Sequence, residues 1–292
     1  MKLLAPAKIN LYLNILNKRK DGYHTLKTIF QTVSLYDRIE IEKSKSGDRI
    51  HLNVLTQESP CPTGPENIVW KAADLFFKKF RLKEGCKITL KKEIPTQAGL
   101  GGGSSDAATT LQGLAKLFLG DEANSSKTRP ILHQIAKGLG ADVPFFLKGG
   151  CAIASGIGDR LTPLSTVPHF WAVIIKPSIG CSTVEAYRWL DSCPRLTPLG
   201  DFNRMVTQIR SKKKISYWGP YIYNSFEGVV FKKYPEIGEI KSKLIEAGSE
   251  FVSLSGSGSA LFGIVSTRKI GQQVMDKCAR FHKKIWLVSS LT

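Results

Sequence analysis

Between residues 99 and 103 the chain places four glycines in five positions, within the run Pro95-Thr96-Gln97-Ala98-Gly99-Leu100-Gly101-Gly102-Gly103-Ser104-Ser105-Asp106. Glycine brings no side chain to a core, but it lets the backbone turn sharply and press its N–H groups against a ligand. An apolar pattern at Leu111, Leu114, Leu117 and Phe118 follows at helical spacing. The segment therefore predicts a helix over residues 105–118, with Ser104 or Ser105 as N-cap and Asp106 in the first turn. A glycine loop feeding a helix N-terminus is an anion site, because loose N–H donors and the positive dipole end point the same way.

Two other phosphate loops are excluded. No Gly-Lys-Ser/Thr follows, so this is not a Walker loop. The third glycine of a dinucleotide fingerprint would fall at Ser104, with no ribose-binding acid downstream. At 292 residues and 42% apolar content the chain can fill one large domain or two. No apolar run is long enough to span a membrane. Lys8 and Asn10 interrupt the short apolar start, which leads to the expectation of a cytoplasmic protein. The six cysteines are scattered without a Cys-x-x-Cys pair and read as free thiols. The net charge of +18, from 42 basic and 24 acidic residues, attracts polyanions in general. Its densest run, Arg210-Ser211-Lys212-Lys213-Lys214, comes without a nucleic-acid-binding signature and reads first as a solvated turn.

Taken in order, residues 8–16, 24–34, 37–43, 48–55 and 87–94 predict strands, with Asp21-Gly22 as a tight hairpin turn. Residues 66–80 predict a helix with Ile68, Ala72, Leu75 and Phe76 inward. A second helix at 129–139 leads to Asp142, which by itself reads equally as an acid ordering the turn before Pro144. Further on, strands at 170–176, 250–254, 260–265 and 284–290 enclose helices at 182–191, 224–233, 236–247 and 267–280. That order suggests a ferredoxin-like split βαβ half.

Three ordered stretches, Ala5-Pro6-Ala7-Lys8-Ile9-Asn10-Leu11, the 95–108 loop and Ser255-Gly256-Ser257-Gly258-Ser259, resemble the motifs of the GHMP small-molecule kinases. Asp21-Gly22-Tyr23-His24-Thr25-Leu26, Gly140-Ala141-Asp142-Val143-Pro144-Phe145-Phe146 and Asn224-Ser225-Phe226-Glu227 narrow the resemblance. They point to the branch of that family that phosphorylates a cytidine-diphosphate-linked methylerythritol in non-mevalonate isoprenoid synthesis. The resemblance implies an α+β, two-domain GHMP kinase fold. Its N-terminal ATP-binding domain, residues 1–160, would be ribosomal-protein-S5-domain-2-like, and its C-terminal domain, residues 161–292, a ferredoxin-like split βαβ. The site would lie in the cleft between them.

The resemblance also implies roles. Asp142 matches the catalytic base and Lys8 its partner; a carboxylate can accept the proton of an attacking alcohol, and a lysine can steady the transferring phosphoryl group. Pro95, Thr96, Gln97, Ala98, Gly99, Leu100, Gly101, Gly102, Gly103, Ser104 and Ser105 match the ATP loop, with Asn67 and Lys92 near adenine or ribose. Tyr23, His24 and Tyr187 match a cytosine pocket, where rings stack on a base and imidazole reads its edge. Asn10 and Thr183 match contacts to the polar groups of the substrate. ATP is the implied co-substrate and Mg2+ the implied metal, borne largely by the phosphates. Two readings compete: another GHMP kinase acting on mevalonate, homoserine or a sugar, and a basic nucleic-acid-binding module. The Tyr23, His24 and Tyr187 set argues against the first, the phosphate loop against the second; neither nucleic acid nor membrane is an expected partner.

Overall fold

Two long strands, β1 (Lys2–Lys18) and β2 (His24–Ser44), meet at the predicted tight turn. There Gly22 takes φ +85° and Arg19 N–H donates to Tyr23 O at 2.7 Å. The computed structural model describes residues 1–44, 49–56, 61–164, 167–193 and 201–292. β2 is a single strand of 21 residues where two were expected, because no glycine or proline lies between its ends to break it.

The chain continues through β3 (Ile50–Leu55), α1 (Ile68–Phe80), β4 (Gly85–Lys91), α2 (Gly102–Leu119), α3 (Thr128–Leu139) and α4 (Val143–Phe146). Then come β5 (Cys151–Ser155), β6 (Arg160–Pro163), β7 (Trp171–Ile175), α5 (Thr183–Asp191), α6 (Phe202–Arg210), α7 (Ile215–Trp218) and β8 (Tyr223–Asn224). The last elements are α8 (Glu227–Lys233), α9 (Pro235–Ala247), β9 (Phe251–Leu254), β10 (Leu261–Val265), α10 (Arg268–Ala279) and β11 (Ile285–Ser289). Residue 48 of the expected 48–55 strand lies outside the described residues.

The compact units interleave in sequence. The first comprises Met1–Ala7, Leu35–Pro95 and Gly101–Lys148; the second comprises Lys8–Ser34, Thr96–Leu100 and Gly149–Thr292. A single cut near residue 160 has no counterpart in this division, since β1 and β2 run through both units.

In the first unit β4 pairs antiparallel with β2, setting Ile39 opposite Leu90 and Ile41 opposite Ile88, while β3 adds in parallel. Their apolar face receives α1 through Val69, Ala72, Ala73, Phe76 and Phe77, and α2 through Ala107, Ala108, Leu111, Leu114 and Ala115. The buried stripe of α1 is turned by about one residue from the expected one, because Phe77 packs edge-on against Phe118 at 5.1 Å. Gly113 lets α2 lie close on the sheet: a Cβ there would come within 2.4 Å of Leu3 Cδ1.

In the second unit β8 pairs in parallel with β1 at Tyr12 and Leu13, β5 pairs with β2 at residues 28–31, and β5–β6 form a hairpin. A separate antiparallel sheet runs in the order β11-β7-β10-β9, the split βαβ arrangement expected from the sequence. Leu244, Val252, Leu254, Leu261, Val265 and Val274 fill its core, each such side chain contributing about 1.5–3 kcal/mol by leaving water.

Cys86, Cys151, Cys181 and Cys278 are buried, and burial raises all four thiols, that of Cys86 to about 12. Brief treatment with a thiol reagent is expected to modify Cys61 and Cys193, the two half-buried cysteines, and to reach the other four only after denaturation. Intact-mass measurement of the native and unfolded protein checks this.

Candidate active site

Residues 7–13 of β1 are buried without interruption, so both faces of the strand are covered there. One face carries Lys8, Asn10 and Tyr12, polar groups that an ordinary strand core would not take in. Each is satisfied. Lys8 Nζ donates to Asn10 Oδ1 at 2.6 Å, Asn10 Nδ2 to Thr28 Oγ1 at 2.8 Å, and Thr28 Oγ1 to Tyr12 O at 2.6 Å. The Lys8 ammonium also stands 5.2 Å from the Phe30 ring centroid. Its backbone N–H donates to Leu100 O at 2.9 Å, which fixes the first half of the glycine loop beside it.

That half-loop, residues 96–100, is clamped to the turn after β9. Gly99 takes φ +72°, and a Cβ on it would lie 1.9 Å from Ser255 O. Ser255 Oγ donates to Gly99 O at 3.0 Å, and Ala260 N–H to Ala98 O at 3.2 Å. The Ser255–Ser259 turn is braced from behind by the Asn224–Glu227 segment. Asn224 Nδ2 donates to Leu254 O at 2.7 Å and Gly256 O at 2.8 Å, and Glu227 Oε1 accepts from Leu254 N–H at 3.0 Å. The first and third motifs thus converge on residues 96–100 within one unit.

In the other unit, α2 begins earlier than the sequence suggested. Gly101, in the left-handed region at φ +71°, is its N-cap, and Gly102 and Gly103 enter the first turn. Ser104 and Ser105 therefore lie inside the helix rather than capping it, and Asp106 is past the first turn. The change follows from glycine's freedom at residue 101, which starts the helix without a side-chain cap. The first N–H groups of an 18-residue helix have no intrahelical acceptor, so they remain available to an anion. Among the described residues, the buried Ser105 Oγ and Asp106 Oδ1 have no hydrogen-bond partner.

Beneath this helix start lies a buried charge cluster. Lys92 Nζ donates to Asp37 Oδ2 and, at 2.7 Å, to Asp106 Oδ2; Asp37 Oδ1 accepts from Ile94 N–H at 2.8 Å. Burial draws the Lys92 ammonium down, but Asp106 and Asp37 outweigh it and hold it above its ordinary value. Burial pushes the Asp106 carboxyl well above the usual carboxylate range, against the pull of Lys92. Lys92 thus ties the end of β4 to α2, with its ammonium 3.2 Å from where a Gly102 Cβ would sit. Asn67 has a structural task as well: its Oδ1 accepts from Val69 N–H at 2.8 Å as the N-cap of α1.

The aromatic set falls together in the second unit. His24 stacks on Tyr187 with centroids 4.6 Å apart and planes at 25°, and Phe226 backs Tyr187 edge-on at 5.0 Å. Tyr23 is 61% exposed, an open ring beside that stack in sequence. Thr183 Oγ1 hydrogen-bonds Ser257 Oγ at 2.9 Å, joining the start of α5 to the third motif. Asp142 belongs to the first unit, half-buried at the start of α4 and followed by Val143 and Pro144, both fully packed.

Sequence reasoning missed Asp37 and Asp191 and assigned no task to Asn224 or Glu227. Asp37 falls in phase with the buried Leu35, Ile39 and Ile41, but neither it nor an acid closing a helix says which residue far along the chain will meet it.

Comparison with known proteins identifies the family. Residues 67–150 match the family model for the GHMP kinases N terminal domain, and residues 205–284 that for GHMP kinases C terminal. The chain is an ATP-dependent small-molecule kinase of two-domain GHMP fold. A 4-diphosphocytidyl-2-C-methyl-D-erythritol kinase from Moorella thermoacetica is 38% identical over 279 residues, 95% of this chain and 94% of the relative. A crystal structure of 4-(cytidine 5'-diphospho)-2C-methyl-D-erythritol kinase superposes with a TM-score of 0.83 at 34% identity, covering 100% of both chains. Homoserine kinase from Cytophaga hutchinsonii shares the fold, with a TM-score of 0.78 at 18% identity over 100% of this chain and 94% of that one. The chain belongs to the 4-diphosphocytidyl-2-C-methyl-D-erythritol kinase family.

Gly99→Ala is expected to abolish ATP binding and lower stability, because its Cβ meets backbone that cannot swing aside. Gly120→Ala, at φ +54° and ψ −122° with nothing within 4 Å of the added Cβ, should cost about 1–3 kcal/mol through backbone strain alone and leave ATP binding intact. Thermal melts and nucleotide titration of both variants check the contrast.

Proposed function

We propose that this chain transfers the γ-phosphate of ATP to a hydroxyl of 4-diphosphocytidyl-2-C-methyl-D-erythritol, giving the 2-phosphate and ADP in non-mevalonate isoprenoid precursor synthesis. The observation that carries the substrate assignment is the 38% identity spread over 95% of the chain, which takes in the phosphate loop and the aromatic set together.

In this reading residues 95–105 wrap the ATP phosphates with backbone N–H groups, and the dipole of α2 favours their charge. Lys92 and Asn67 support the nucleotide end of the site, Lys92 by holding the base of the loop. The substrate's cytosine lies against Tyr23, with His24 and Tyr187 forming the rest of its pocket, while Asn10 and Thr183 hold polar groups of the methylerythritol part. Asp142 accepts the hydroxyl proton as the new phosphorus–oxygen bond forms. Lys8 sets its positive charge on the phosphoryl group in flight; in a loose transition state such charge stabilisation outweighs proton removal. The buried Lys8–Asn10–Thr28 chain keeps that ammonium in one place, so little reorganisation accompanies the reaction.

Mg2+ fits this site as an ion carried in on ATP. The described residues contain no group of three or more His, Cys, Asp or Glu that could hold a metal, while the unpartnered Ser105 hydroxyl is a suitable oxygen ligand. When bound, the ion offsets charge on the β- and γ-phosphates. In functional terms residues 1–160 supply the nucleotide loop and Asp142, and residues 161–292 supply Thr183 and Tyr187. The +18 charge speeds the encounter with two anionic substrates rather than serving a nucleic acid. No described helix is long and apolar enough to cross a membrane, and we place the enzyme in the cytoplasm with the metabolites it uses.

ATP turnover with the cytidine-diphosphate substrate, run beside mevalonate, homoserine and simple sugars, tests the assignment; turnover with an uncharged sugar alone would overturn it. Asp142→Asn is expected to lower kcat by about 10²-fold or more with little change in the KM for ATP, measured by steady-state kinetics. Tyr23→Ala should weaken the cytidine substrate by about 1–3 kcal/mol while leaving ATP binding intact, as calorimetry with each ligand separately would read.

A further inference from the structure

One charged residue beside the aromatic set has no part in phosphoryl transfer. Asp191 is the last residue of α5, where an acid opposes the helix dipole and is disfavoured on electrostatic grounds. Its Oδ2 accepts from Lys18 Nζ at 2.6 Å and its Oδ1 lies 2.6 Å from His24 Nε2. The hydrogen bond from Lys18 holds the Asp191 carboxyl below the usual carboxylate range, with His24 adding to the effect. An ionised carboxylate only accepts hydrogen bonds, so the imidazole nitrogen facing it must carry a proton.

The ring cannot easily turn to offer another edge. The His24 side chain is 8% exposed, stacked on Tyr187, which Phe226 backs in turn. With Nε2 committed to Asp191, Nδ1 is the nitrogen left to meet a ligand. In the neutral ring Nδ1 is an acceptor. Cytosine presents an exocyclic amine, a donor; uracil presents a carbonyl oxygen at the same position.

We propose that Asp191 is the positioning residue that sets base specificity: by fixing the Nε2–H tautomer of His24 it aims an acceptor at the exocyclic amine of cytosine and rejects uracil. The inference rests on the proposed placement of cytosine in the Tyr23, His24 and Tyr187 pocket. A uridine-linked substrate would set two acceptors face to face, leaving both without a hydrogen bond. In Asp191→Asn the amide can donate to Nε2, which lets the proton move to Nδ1 and turns the acceptor into a donor.

The test compares kcat/KM for the cytidine- and uridine-diphosphate-linked forms of the substrate in the wild type, Asp191→Asn, Asp191→Glu and His24→Ala. Asp191→Asn is expected to lower the cytidine preference by about tenfold or more, with the KM for ATP unchanged, and Asp191→Glu to retain part of it. Should the variants fold poorly, long-range 1H–15N correlation on the wild type reads the tautomer directly. A His24 ring protonated at Nε2 alone supports the proposal; one protonated at Nδ1, or at both nitrogens, overturns it. Full cytidine preference in Asp191→Asn, with His24→Ala impaired on the cytidine substrate, overturns the inference alone. An unchanged KM for the cytidine substrate in His24→Ala removes the pocket assignment and the inference with it.

Discussion

Everything in the second unit's loop cluster depends on one contact between main chains: Gly99 lying against Ser255 and Gly256. A methyl group at Gly99 would occupy the space of the Ser255 carbonyl oxygen, so the two loops can meet this closely only with glycine at residue 99. The hydrogen bonds from Ser255 Oγ to Gly99 O and from Ala260 N–H to Ala98 O then hold the approach. Asn224 and Glu227, whose residue types suggest chemistry, secure the far side of the same turn. Because Lys8 N–H takes its acceptor from Leu100, the lysine's place is fixed by this junction as much as by its own strand.

Buried lysines show a common difficulty met in three ways. Lys92 faces two carboxylates, Lys8 is met by the amide oxygen of Asn10, and Lys176 donates to the carbonyl oxygens of Pro177 and Ile179. Removing a carboxylate partner from a buried ion cluster costs about 3–5 kcal/mol, because the remaining charge stays desolvated. The Lys92 cluster therefore holds the end of β4 firmly to α2.

Much of this could be read from residues that demand special backbone. The glycine run, Asp21-Gly22 and the split βαβ order were legible because turns and apolar spacing act locally. Serine is a good N-cap, and Ser104 and Ser105 invited that reading; a left-handed Gly101 started α2 three residues sooner. The stripe of α1 turned because Phe118, distant in sequence, decided which phenylalanine went inside. α6 went unread although Asp201 caps it and Met205, Val206 and Ile209 share its inner face, a short amphipathic signal. Asp191 was beyond reach for another reason: its partner His24 lies 167 residues away, and only the fold joins them.

The interleaved division of the chain bears on the order in which it can be completed during synthesis. The first unit has all its parts once Lys148 has emerged, whereas the second needs Lys8–Ser34, made well before, and Gly149–Thr292, made after. The hairpin of residues 8–34 must therefore wait for residues 149–292 before its unit can close. Folding vectorially from the N-terminus is open to one half of this kinase and closed to the other.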